Sequence, residues 1–173
     1  MARTQRGRAE GRKVGYAVVG LGHIAQTAVL PAFEHARESS RLVALVSGDS
    51  TKRKTLGARY GVPAYRYEDL DDVLAREDVD AVYVALPNTQ HEACAVRSAR
   101  AGAHVLTEKP MATSEDACRR MIDAADESGT KLMVAYRLHF EPANLEAVEV
   151  IRSGRIGEPR FFTSEFSYQV KAG

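Results

Sequence analysis

Two short stretches of the chain carry residue types that can do chemistry. One is Glu108-Lys109-Pro110, which follows the apolar run His104-Val105-Leu106-Thr107. A lysine beside a reacting alcohol or ketone can give or take a proton, and desolvation readily weakens its hold on that proton. Pro110 biases Lys109 toward an extended backbone, which aims the side chain outward from a strand end. The competing reading is a surface ion pair between the adjacent Glu108 and Lys109. The other stretch is Gly20-Leu21-Gly22-His23-Ile24-Ala25, at the end of the β-favouring run Val14-Gly15-Tyr16-Ala17-Val18-Val19. Its G-x-G-x-x-A spacing is a dinucleotide-binding fingerprint. Gly20 makes a tight turn, Gly22 lets a pyrophosphate approach the backbone, and Ala25 lets the helix lie close on the sheet. Two glycines after a strand also suit an ordinary βα turn, so the motif depends on its surroundings.

Such a site chooses its dinucleotide at the end of the second strand. An acidic residue there accepts from the ribose 2′-hydroxyl of NAD, whereas a small residue with cations nearby admits the 2′-phosphate of NADP. Here the strand ends in Ser47-Gly48, with Lys52 and Arg53 opening the next helix. Ser47 can donate and Lys52 can supply charge, so the residue types favour NADP over NAD. Asp49 favours NAD if it points into the ribose site. Ser47-Gly48-Asp49-Ser50 can equally be a turn and helix cap beside solvated cations. Leu86-Pro87-Asn88-Thr89-Gln90-His91 follows the fourth strand and Tyr136-Arg137 the sixth, at the edge where open α/β sheets bind ligands. A structural turn also explains Pro87, Asn88 and Thr89, and His91 on a first helical turn is ordinarily a solvated or capping residue.

The elements that must position these groups alternate. Apolar strands are expected at residues 14–19, 41–47, 80–86, 104–107 and 131–135, with a short extended piece at 64–65. Helices are expected at 22–37, divided or kinked by Pro31, at 49–60, from about 68, and at 89–101 with Thr89 and Glu92 as a capping box. A further helix starts at a Thr113 cap, with Ala117, Cys118, Met121, Ile122 and Ala125 at helical spacing, and closes at Gly129. Strands alternating with helices predict right-handed βαβ units and a doubly wound parallel (Rossmann) sheet of the α/β class. Beyond it, an amphipathic helix over 144–151 precedes an alternating aromatic strand, Arg160 to Tyr168.

Composition bounds the remaining choices. The chain has 173 residues, 45% hydrophobic and 27% charged, as in globular proteins. A net charge of +1 argues against a dedicated nucleic-acid binder, although residues 1–13 hold Arg3, Arg6, Arg8, Arg12 and Lys13 against Glu10 alone. That basic arm has no apolar centre, so it is neither a secretory signal nor a membrane span. Cys94 and Cys118 each sit among small or apolar residues, which suggests packing, no disulfide framework and cytoplasmic residence. The five histidines form no metal-ligand spacing, so no metal is expected.

Taken together, these stretches resemble the glucose–fructose oxidoreductase/inositol dehydrogenase family, and within it the glucose–fructose oxidoreductase branch. The resemblance rests on Gly20-Leu21-Gly22, Val46-Ser47-Gly48 with Lys52, Leu86-Pro87-Asn88 with His91, Glu108-Lys109-Pro110-Met111-Ala112, and Tyr136-Arg137. It implies a nicotinamide-dependent oxidoreductase of sugars, polyols or related carbonyls. Lys109 matches the active-site lysine that touches substrate hydroxyl and cofactor. Ser47 and Lys52 match residues of the NADP-using branch, and Tyr67, Leu86 to His91, Glu108 and Arg137 match cofactor-contacting positions. With Gly20, Leu21, Gly22, His23, Ile24 and Gly48, these make up the candidate cofactor site.

The expected organisation is a basic arm (1–13), a dinucleotide-binding domain (14–140), and a connecting helix leading into the first strand of a truncated α+β domain (141–173). The expected function is NADP-dependent hydride transfer with a sugar or polyol, with a small-molecule substrate, no nucleic-acid or membrane partner, and a homo-oligomer. The alternative is a non-catalytic NADP(H)-binding module or sensor subunit that lacks a substrate domain.

Overall fold

In the computed structural model, which describes residues 11–165 and 167, strands and helices alternate as the sequence requires. β1 (Val14–Val19) leads through a π-helical turn, Ala25–Val29, into α1 (Leu30–His35). β2 (Ser40–Val46) precedes α2 (Ser50–Tyr60), and β3 (Ala64–Tyr65) precedes α3 (Leu70–Ala75). β4 (Ala81–Val84) is followed by α4 (His91–Arg100), β5 (His104–Thr107) by α5 (Glu115–Glu127), and β6 (Leu132–Val134) completes the sheet. Every pairing is parallel, in the order β3-β2-β1-β4-β5-β6. The order reverses between β1 and β4. That reversal is the topological switch point, beside which sheets of this kind take ligands at their carboxyl edge.

Side-chain alternation sorts the core onto two faces. Ala17, Val19, Ala44, Val46, Val82 and Val84 face one layer with Val73 of α3, Cys94 and Ala95 of α4, and Met121 of α5. Val18, Leu45 and Tyr83 face the other with Val29, Leu30 and Leu56. Both faces of the central strands are therefore covered, which is why these strands read as nearly continuous apolar runs.

Local deviations from the expected elements have physical causes. Pro31 lies in the first turn of α1, and the winding before it is widened, with the Leu30 amide donating to the Ala25 carbonyl. The Thr89–Glu92 capping box does not form. Pro87 starts a 3₁₀ turn, closed by the Gln90 amide on the Pro87 carbonyl at 2.8 Å, and the Glu92 carboxylate turns to Arg120 of α5 instead. α5 is capped by Ser114, not Thr113; the Ser114 hydroxyl accepts from the Ala117 amide at 3.2 Å. Its buried stripe is Ala117, Met121, Ala124 and Ala125, while Ile122 is 46% exposed because it falls outside the sheet-facing arc.

Contacts divide the chain after Ala135. The second unit holds a 3₁₀ turn, Arg137–Phe140, and α6 (Pro142–Arg152), whose first turn is closed by the Glu141 carboxylate accepting from the Asn144 amide at 2.9 Å. The strand expected from Arg160 does not form over residues 160–165, where Phe161 and Phe162 stand 97% and 89% exposed with no neighbouring strand among the described residues. Phe166 and Tyr168 of that stretch, and residues 1–10 of the basic arm, lie outside the described residues.

Candidate functional site

Strand register sets the site. Val19 pairs with Val46 on one side and Val84 on the other, and Val84 pairs with Thr107. The next residues, Ser47, Gly20, Ala85 and Glu108, therefore stand side by side at the carboxyl edge. The Gly20 amide donates to the Val46 carbonyl and the Glu108 amide to the Val84 carbonyl, both at 2.9 Å. At about 4.8 Å per strand, Ser47 and Glu108 are roughly 14 Å apart, with the glycine turn between them. That row suits an extended ligand with a different chemical group at each end.

The two glycines of the turn differ in what demands them. Gly20 has φ +96°, and a Cβ there would lie 2.5 Å from the Ala85 carbonyl oxygen, so backbone geometry and packing both exclude a side chain. Gly22 has neither constraint: a Cβ would meet nothing within 4 Å. No neighbour among the described residues requires glycine at 22, whereas a phosphate lying against that backbone would. Leu21 is buried in the core, His23 is exposed and Ile24 half-buried, so the turn is anchored by one side chain and open around the others.

At the β2 end, Ser47 is buried and its hydroxyl oxygen accepts from the Asp49 amide at 3.2 Å, which leaves the hydroxyl proton free to be donated outward. Asp49 caps α2. Its carboxylate accepts from the Lys52 amide at 3.0 Å and lies 3.6 Å from the Lys52 ammonium. The Lys52 backbone N–H, then the Lys52 charge, holds that carboxyl below its usual range. Asp49 is thus committed to the helix start rather than pointing freely into a ribose site. Arg53 does what the spacing did not reveal, donating to the Ser47 carbonyl at 2.6 Å and fixing a second cation at the strand end. Only its position six residues after Ser47 signals this in the sequence. Gly48 lies against Tyr67: a Cβ on Gly48 would be 3.3 Å from the Tyr67 ring, which is 36% exposed.

At the β5 end, Glu108 is buried, and the competing reading of a surface ion pair with Lys109 gives way to a different arrangement. The Tyr83 hydroxyl donates to Glu108 Oε1 at 2.8 Å, and the Lys109 amide lies 3.3 Å from Oε2. A buried carboxylate needs such donors, and Tyr83 on the neighbouring strand supplies one. Sequence reasoning assigned no role to Tyr83, a lone tyrosine in an aliphatic strand. Lys109 itself is exposed, and no ion pair among the described residues engages its ammonium. The Lys109–Pro110 peptide is cis.

Between these ends, Pro87 and Asn88 are exposed and Leu86 packs on the core. His91 is neither solvated nor a cap. It is 1% exposed, with Nδ1 2.9 Å from the Pro110 carbonyl and Nε2 2.9 Å from the Leu86 carbonyl. Arg137 is exposed in the 3₁₀ turn of the second unit. Among the described residues no group of three or more His, Cys, Asp or Glu could hold a metal ion, and no helix is long and apolar enough to cross a membrane. A separate concavity lined by Arg12, Lys13, Arg41, Glu77 and Asp78 lies at the amino ends of the strands, away from this row.

Comparison with known proteins gives a consistent picture. A model of the oxidoreductase family with an NAD-binding Rossmann fold matches residues 14–136. The D-xylose 1-dehydrogenase (NADP+) of Haloarcula marismortui is 35% identical over 150 residues, 86% of this chain and 41% of that protein. The crystal structure of an aldose–aldose oxidoreductase from Caulobacter crescentus, complexed with glycerol, superposes with a TM-score of 0.81 at 46% identity, covering 84% of this chain and 44% of that one. A dehydrogenase from Bordetella pertussis in complex with NADH and UDP-GlcNAcA gives a TM-score of 0.75 at 30% identity, covering 84% and 44%. The chain spans less than half the length of each of these relatives.

Proposed function

The chain belongs to the Gfo/Idh/MocA oxidoreductase family, with its NAD-binding Rossmann fold, and on that premise we propose that it is the NADP-binding part of an enzyme that oxidises or reduces a sugar, polyol or related carbonyl. The observation that carries this is the row of Ser47, Gly20 and Glu108-Lys109 along one sheet edge, beside the switch point. Residues 20–24 would hold the pyrophosphate; the open space at Gly22 fits it. The Ser47 hydroxyl, with the cations Lys52 and Arg53, would hold the adenosine 2′-phosphate, while Tyr67, lying against Gly48, offers an aromatic surface beside it. The loop from Leu86 to Gln90 and Glu108 would line the nicotinamide end, with the enclosed His91 ring supporting that loop from behind.

When bound, the nicotinamide supplies a hydride acceptor or donor. This chain supplies the proton side. The Lys109 ammonium, exposed and uncommitted to Glu108, would orient the substrate hydroxyl and exchange its proton. Glu108, tied to Tyr83 and the Lys109 amide, would fix the loop from which that lysine projects. Relatives named for xylose and aldose substrates support a sugar or polyol as substrate. The unpaired Cys94 and Cys118 support cytoplasmic residence, and the exposed Phe161 and Phe162 support self-association.

Fluorescence titration tests the reading. NADPH should bind the 173-residue chain more tightly than NADH, and a protein of the relatives' length should turn over members of a sugar and polyol panel with NADP+. Equal or tighter binding of NADH overturns the cofactor assignment. Absence of turnover across the panel in both directions overturns the activity.

A further inference from the structure

His91 is the first residue of α4, and its ring is enclosed between the two loops that carry the candidate site. One nitrogen faces the carbonyl of Leu86, where the loop after β4 begins. The other faces the carbonyl of Pro110, directly after Lys109. Both partners are acceptors only. A neutral imidazole has one N–H and can serve one of them, while a protonated ring donates to both. Whichever nitrogen carries the proton, the ring spans both loops at hydrogen-bond distance.

We propose that His91 is a positioning residue, a clip that joins the loop after β4 to the Lys109 loop. Glu92 is paired with Arg120 of α5, and Cys94, one turn further along α4, is held neutral by burial, which pushes its thiol up to about 11. From the β5 side, Glu108 is bonded to the Tyr83 hydroxyl and the Lys109 amide, and the Lys109 side chain is exposed. Among the described residues, the two carbonyls are the ring's hydrogen-bond partners. The clip therefore couples the placement of Lys109 to that of Pro87 and Asn88 without touching either ligand end.

The inference builds on the reading of these loops as a cofactor site, but its test does not need the cofactor. Amide exchange is followed by mass spectrometry on the ligand-free chain, corrected for intrinsic exchange rates. His91→Phe, a ring without donors, should speed exchange in residues 86–90 and 109–113 together, on the order of tenfold for the loss of one net hydrogen bond. Peptides from β1 and β2 should be unchanged. A change in one segment only, or none, overturns the clip. If His91→Phe does not fold, His91→Asn, whose shorter side chain cannot span both carbonyls, decides: faster exchange in the two segments supports the clip and unchanged exchange overturns it. Linked loops in a chain that fails to bind NADPH would leave the clip standing and overturn the cofactor reading instead.

Discussion

The Tyr83 hydroxyl donates to the Glu108 carboxylate at 2.8 Å, linking the middle of β4 to the residue that follows β5. The bond joins a core side chain to a loop side chain. It holds a buried acid beside the exposed Lys109. Tyr83→Phe keeps the ring and removes the donor, so it should lower stability by about 1–3 kcal/mol, as for an unsatisfied buried acceptor. Denaturant unfolding checks this. Combined with Glu108→Gln, it should cost less than the two single changes added, since the two residues share one bond.

Cofactor preference should turn on the end of β2. Ser47→Asp places a carboxylate where the 2′-phosphate would lie and an acceptor where a ribose hydroxyl would, so preference should shift toward NADH. Arg53→Ala should weaken NADPH while leaving NADH nearly unchanged, because the cation it removes would meet only the extra phosphate. Parallel titrations with both nucleotides measure the ratio. Unchanged NADPH affinity in both variants would remove this strand end from the site.

Lys109→Ala should leave the fold and NADPH affinity close to unchanged, because the side chain is exposed and holds no ion pair among the described residues. In a protein of the relatives' length it should reduce turnover by 10²–10⁴-fold, the usual range for a lost proton-transfer group. A drop in melting temperature in place of the rate loss would mark the lysine as structural.

Acid should destabilise the chain in a defined window. Arg76 beside Asp78, Arg97 beside Asp71, Arg66 beside Asp69 and Arg120 beside Glu92 hold these carboxyls below their ordinary values of 3.8 and 4.5. Each is depressed in the folded state, so the unfolded chain takes up its proton first. The stability they add is present above the ordinary values and is lost as pH falls through the folded ones. Melting temperature should be level above about pH 5 and fall below about pH 4.5. Glu92→Gln should make that fall shallower.

The two thiols should differ in reactivity. Cys94 is buried, and desolvation pushes it up to about 11, so it carries almost no thiolate at pH 8. Cys118 is half-buried on α5. A thiol reagent should modify one cysteine per native chain at pH 8 and two after unfolding, with Cys118 identified by peptide mapping.

The amino-acid sequence by itself determined the alternation of strands and helices, the glycine turn, and the chemistry available at each strand end. Those signals are local: apolar runs, glycine and proline punctuation, and a lysine before a proline. Tertiary structure decided how the side chains are used. The sequence could not tell whether Asp49 caps a helix or reaches a ribose, because that depends on where the Lys52 amide sits. It could not assign His91, whose partners lie 5 and 19 residues away, or find Tyr83 across 25 residues for Glu108. The aromatic alternation after Arg160 reads as a strand, but a strand needs a partner, and residues 160–165 have none among the described residues. Register makes the final difference: the pairing of Val19 with Val46 and Val84, and of Val84 with Thr107, aligns Ser47, Gly20 and Glu108, separated by 88 positions, into one row.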